Sequence, residues 1–120
     1  MFIGLISDTH GVFAARFREF LEPVDQIWHA GDFGGGMELA EEIAAFKPLV
    51  GVAGNCDNHS LRFIHPLHRF FECEGIKVLP VVQDLSQKDA ADRVFEQTEA
   101  AGCVIEVLVN NAGIMYCQGI

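Results

Sequence analysis

The chain is 120 residues long, half of them hydrophobic and ten of them Phe, with a formal net charge of −9. That length suits one ordinary domain, and that apolar content excludes a disordered polymer. The acidic balance excludes a general nucleic-acid surface, because phosphates are repelled over most of it, and a phosphate-handling site would need bound cations.

FIGLIS (2–7) is an apolar run with a polar end, which predicts a buried strand. In VFAARFREFLE (12–22), Phe13, Phe17, Phe20 and Leu21 recur at helical spacing, predicting an amphipathic helix that Pro23 stops. VDQIWHA (24–30) is a second strand and Gly34-Gly35-Gly36 a loop. MELAEEIAAFK (37–47) is a helix with Met37, Ala40, Ile43 and Ala44 on one face, ended by Pro48. PLVGVAG (48–54) is a third strand, and residues 55–69 show no period and read as a loop. RFFECEGIKVLPVV (69–82) reads as strand, turn at Glu74-Gly75, and strand. Ser86 with Asp89 resembles a capping box for a helix whose Ala91, Val94, Phe95 and Thr98 share a face and which ends at Gly102. VIEVLVNNAG (104–113) is the expected last strand.

Strands alternating with helices predict an α/β fold, a mostly parallel sheet of about five strands with helices on both faces. No linker or repeat interrupts the chain, so a single domain over 1–120 is expected. The four cysteines (Cys56, Cys73, Cys103, Cys117) form no C-x-x-C pair, which predicts free thiols in a reducing compartment. No leader is visible and no apolar run exceeds the length of a strand, so the expectation is a cytoplasmic chain without a membrane span.

SDTHG (7–11), HAGDFGG (29–35) and GNCDN (54–58) each follow a predicted strand. In a parallel α/β sheet, ligands gather outside the carboxyl ends of the strands, so Asp8, His10, Asp32 and Asn55 are expected to converge there. Carboxylate and amide oxygens with an imidazole suit a divalent ion; Mn, Mg, Fe, Ni and Zn are not distinguished. Taken singly, Asp8 reads as a helix cap and His10 as a surface side chain, so only the joint pattern points to metal. His29 reads as packing or hydrogen bonding near the site rather than ligating.

FIGLISDTHG, HAGD and GNCD, in this order and spacing, resemble the calcineurin-like metallophosphoesterases, in particular the small single-domain bacterial and archaeal phosphodiesterases. The resemblance covers residues 1–78. It implies that Asp8 and His10 hold a first metal, Asp32 bridges, and Asn55 holds a second, with a small phosphoester as substrate. Cys56 stands where larger members carry a proton-donating His, so no catalytic acid is assigned.

After GIKV the family pattern calls for histidine-bearing turns. Here Val81 and Val82 stand near the first of those positions, and no His follows His68. KVLPVVQDLSQKDAADRVFEQTEAAG and IEVLVNNAGI instead resemble the middle of short-chain dehydrogenases, over residues 76–114. That resemblance implies Asp84 near the adenine of NAD(P), and Asn110, Asn111, Ala112 and Gly113 closing a strand beside the cofactor. The glycine-rich pyrophosphate turn is missing and Tyr116 has Ile120 four residues on where the family has Lys, so NAD(P) binding is not expected.

The reading is thus a metallophosphoesterase-like half (1–77) joined near residues 76–80 to a dehydrogenase-like fragment (78–120). It leaves three functions open: a metal-dependent phosphoesterase with an incomplete site, an inactive chimeric or truncated scaffold, or an NAD(P)-binding fragment. Uncovered sheet edges would favour homo-oligomers.

Overall fold

The structure, a computed structural model, describes residues 1–54, 57–66, 70–81, 83 and 86–109. The chain forms two compact units, residues 1–82 and 83–120.

The first unit is built on three parallel strands, β1 (Ile3–Ile6), β2 (Gln26–His29) and β3 (Leu49–Gly51), hydrogen-bonded in that order. Ile3 lies opposite Gln26 and Ile27 opposite Leu49, which brings the polar segments after all three strands to one end of the sheet. Helix α1 (Ala15–Leu21) connects β1 to β2, and helix α2 (Gly36–Phe46) connects β2 to β3. At Gly4 a Cβ would strike Leu21 Cδ2, so the missing side chain lets α1 sit directly on β1.

The core joins Phe13, Leu21, Ile27, Phe33, Leu39, Ala40, Ile43 and Leu61. Two expected helix faces are corrected. Phe20 is 74% exposed whereas Leu21 is fully buried. Phe20 lies about 100° around the helix from Leu21, which here places it on the solvent side. In α2 the buried set is Leu39, Ala40 and Ile43, and Ala44 is exposed.

The segment read as a loop contains helix α3 (His59–Ile64). Asn58 Oδ1 accepts the Leu61 N–H at 3.0 Å, and Leu61 is buried. An Asn three residues before an apolar residue is the signal that could have revealed this short helix.

Strands β4 (Phe71–Cys73) and β5 (Ile76–Val78) form an antiparallel hairpin. Its turn is Glu74-Gly75, where the sequence places it, with φ of 50° and 78°, the left-handed pair of a type I′ turn. The Phe71 ring packs edge-on against Trp28, with centroids 5.2 Å apart. The expected single, mostly parallel sheet of about five strands is therefore wrong: the described residues form two sheets, one of three parallel strands and one of two antiparallel strands. A two-residue turn can only reverse the chain, whereas a parallel neighbour needs a crossover of a dozen or more residues.

In the second unit, helix α4 (Ala90–Ala100) starts later than a cap at Ser86 implies, and Asp89 pairs with Arg93 at 2.7 Å. Gly102, at φ 71°, ends it as expected. The Gly102 N–H donates to Glu99 O and the Cys103 N–H to Thr98 O, at 2.9 and 3.1 Å, which is a Schellman closure. Of the expected shared face, Thr98 is buried and Phe95 is exposed. The expected strand 104–113 is not found over its described part: residues 103–109 are in no strand, and Val104 and Val107 are 90% and 82% exposed. A strand needs a neighbour, and among the described residues none pairs with this segment. Residues 110–113 lie outside the described residues. No described helix is long and apolar enough to cross a membrane.

The contrast between neighbours in α1 is testable by urea denaturation. Leu21→Ala is expected to cost about 2–5 kcal/mol, and Phe20→Ser no more than about 0.5 kcal/mol.

Candidate functional site

The three polar segments are tied together by backbone. The Asp8 N–H donates to Gly31 O at 3.0 Å, and the Gly11 N–H to Phe33 O at 2.8 Å. This approach requires glycine: a Cβ on Gly34, at φ +67°, would lie 2.6 Å from Gly11 N and 2.7 Å from the His10 backbone. A Cβ on Gly54 would overlap the Asp32 carboxylate. Asp8 and His10 therefore sit on a loop that abuts the Gly31–Gly34 loop, and Asp32 sits against the end of the β3 segment.

Among described residues other than glycine, left-handed backbone occurs at Asp8 (φ 53°), His10 (φ 49°), Asp32 (φ 57°) and the hairpin residue Glu74. The first three are sequence-predicted ligands. Such backbone costs on the order of 1–3 kcal/mol per residue and persists only where the surroundings enforce it.

His10 Nε2 lies 3.9 Å from Asp8 Oδ1, and both side chains are about half exposed. Asn55 lies outside the described residues, as do Asp84, Asn110, Asn111, Ala112 and Gly113. Among the described residues, no group of three or more His, Cys, Asp and Glu side chains converges on a point where an ion could sit. Asp8 and His10 make a pair, and the described donors do not fit a two-ion centre.

Beneath the rim lies a polar network that the sequence did not reveal. His29 is buried, with its ring stacked on Phe33 at 3.6 Å. Its Nδ1 accepts the Gly31 N–H at 3.1 Å, which leaves the ring proton on Nε2. That Nε2–H donates to Thr9 Oγ1 at 3.0 Å, and the Thr9 hydroxyl donates to Phe33 O at 2.8 Å. Both ring nitrogens are engaged by protein, which gives His29 the packing role and no ligand role. Burial pushes its pKa down to about 4, against the opposing pull of Asp57 and Asp8 and with a small contribution from His65. Asp57 is also buried and accepts the Gly34 N–H at 3.2 Å and the Gly54 N–H at 2.8 Å. Bonds between a side chain and distant backbone leave no spacing pattern, so the bonds from Thr9 to Phe33 and from Gly34 to Asp57 carry no sequence signal.

The site is thus framed by a parallel sheet with strained acidic and imidazole residues at its strand ends. The chain belongs to the calcineurin-like phosphoesterase superfamily, whose domain it matches over residues 1–106. Its fold resembles that of Vps29 from Chaetomium thermophilum, with a TM-score of 0.64, 14% identity, and coverage of 85% of this chain and 55% of that one. It is also 44% identical over 99 residues to a short chain dehydrogenase of Pseudocercospora fijiensis (strain CIRAD86), across 82% of this chain and 31% of the other. The chain thus spans about half of the first protein and under a third of the second. The phosphoesterase match runs through residues 76–80 to residue 106, and the dehydrogenase similarity covers 99 of the 120 residues, so neither marks a boundary near residues 76–80.

Because the folded His29 resists protonation, its contribution to stability is complete above about pH 6.5 and is lost as pH falls towards 4. Urea denaturation from pH 7 to pH 4 is expected to show the wild-type advantage over His29→Gln shrinking by on the order of 3 kcal/mol.

Proposed function

We propose that the chain is a calcineurin-like phosphoesterase scaffold with little or no turnover, holding at most one weakly bound divalent ion. The observation that carries this reading is the fate of the imidazoles. His29 spends both ring nitrogens on Gly31 and Thr9. His65 is buried against Phe33, with centroids 5.3 Å apart. Residues 69–120 contain no histidine. Residues 69–120 therefore supply no imidazole for a second ion.

The left-handed backbone at Asp8, His10 and Asp32 favours a second reading, a residual phosphodiesterase in which these side chains and Asn55 hold one ion. Manganese, magnesium, iron, nickel and zinc all suit that donor set. Release of p-nitrophenol from bis-p-nitrophenyl phosphate with added manganese separates the two readings. The scaffold reading expects wild-type turnover equal to that of Asp32→Asn; turnover abolished by Asp32→Asn would replace it with the hydrolase.

A further part of the proposal is that residues 78–120 form a dehydrogenase-like fragment joined to residues 1–77, although the similarity to a dehydrogenase, over 99 residues, is spread across both parts. Cofactor contact would then fall to Asp84, Asn110, Asn111, Ala112 and Gly113. Because the pyrophosphate turn is missing, NADH fluorescence is expected to show no saturable change on titration; saturation lost in Asp84→Ala would establish a cofactor site. A cytoplasmic location, with Cys73 and Cys103 as free thiols, accompanies this proposal. So does association through the edge strands β1 and β3, read by size-exclusion chromatography.

A further inference from the structure

We infer that Asp57 is a positioning residue that cross-links the loops after β2 and β3 without a metal ion, the task a shared cation would otherwise perform. The inference rests on the scaffold reading and deepens it. Asp57 is 7% exposed, and its carboxylate divides between two loops: Oδ1 accepts from Gly34 at 3.2 Å and Oδ2 from Gly54 at 2.8 Å. Its own N–H donates back to Gly54 O at 3.2 Å, fixing the carboxylate relative to the end of the β3 segment. A buried carboxylate is costly unless donors satisfy it, and here backbone amides on two different loops do so.

These two anchor points flank Asp32. Gly34 follows it by two residues, and Gly54 lies against its carboxylate, leaving no room for a Cβ. Between Asp32 and Gly34, Phe33 is held from another side: its ring stacks on His29, and its carbonyl accepts from Thr9 Oγ1 and from the Gly11 N–H. All three polar segments are thus joined through protein groups. Carboxylate chemistry is needed at this point, because a carboxamide in place of the Asp57 carboxylate would present an NH2 donor to one of two backbone N–H donors. One loop would then lose its partner while the other kept it.

Amide hydrogen exchange, read by NMR on the full chain, tests the inference. In wild type, protection at Gly34 and Gly54 is expected to be unchanged by EDTA or manganese. In Asp57→Asn, exchange at one or both amides is expected to accelerate about tenfold or more. The Ile43 amide inside α2 is expected to change by less than about threefold, and Asp8→Asn to leave Gly34 and Gly54 protected. If Asp57→Asn is too unstable to measure, Asp57→Ser, with one hydroxyl acceptor, is expected to free one of the two amides; protection retained at both would overturn the inference. Unchanged exchange in Asp57→Asn, or equal acceleration at Ile43, would also overturn it. EDTA-induced exchange in wild type would show that an ion makes the cross-link, ending both this inference and the scaffold reading. Turnover sensitive to Asp32→Asn, with protection indifferent to EDTA, would end the scaffold reading and leave the Asp57 clamp standing.

Discussion

Two stretches of backbone meet at the rim of the parallel sheet where no side chain fits. Gly34 faces His10 and Gly11 at a separation that a single methyl group would destroy. From this contact the rest of the rim follows. The loop after β1 must turn sharply to bring its backbone in, so Asp8 and His10 are held in left-handed conformation, and Asp32 is held likewise on the loop it meets. The Phe33 carbonyl can then accept from both the Gly11 amide and the Thr9 hydroxyl. Close packing of main chain holds these loops against one another.

The buried groups under that contact explain how acidic and basic side chains coexist in a small core. His29 stays neutral because each nitrogen has a fixed partner and little water reaches it. A low-dielectric interior strengthens satisfied hydrogen bonds and penalises unsatisfied ones, so such a network tends to persist as a unit or fail as a unit. Membership of a phosphoesterase superfamily settles the architecture of this chain and leaves its chemistry to be argued from side chains. A frame descended from enzymes can outlast the reaction when its own hydrogen bonds suffice to hold it.

Much of this architecture was legible in local patterns. The strands β1, β2 and β3 stood out as apolar runs ending in polar residues, and the turns at Glu74-Gly75 and Gly102 as glycines beside regular periods. Local chemistry dictates such features: a hairpin turn needs φ above zero, and so does a helix C-terminus. What depended on partners was not legible. Nothing local says that Phe20 rather than Leu21 faces water, or that residues 104–109 lack a strand to pair with. The short helix α3 has too few residues to show a period. In the site, the carboxyl ends of parallel strands pointed to Asp8, His10 and Asp32, whereas the bonds from Thr9 to Phe33 and from Gly34 to Asp57 span more than twenty residues and left no trace.

The hairpin between β4 and β5 has a different character from the rim. A Cβ added at Gly75 would meet no atom within 4 Å, and its turn needs only two residues. Open space at a reversal is where chains accept new sequence most readily. The tip of this hairpin is therefore a port for grafting, where a tag or an inserted module could be carried on the far side of the hairpin without touching the carboxylates that hold the loops together.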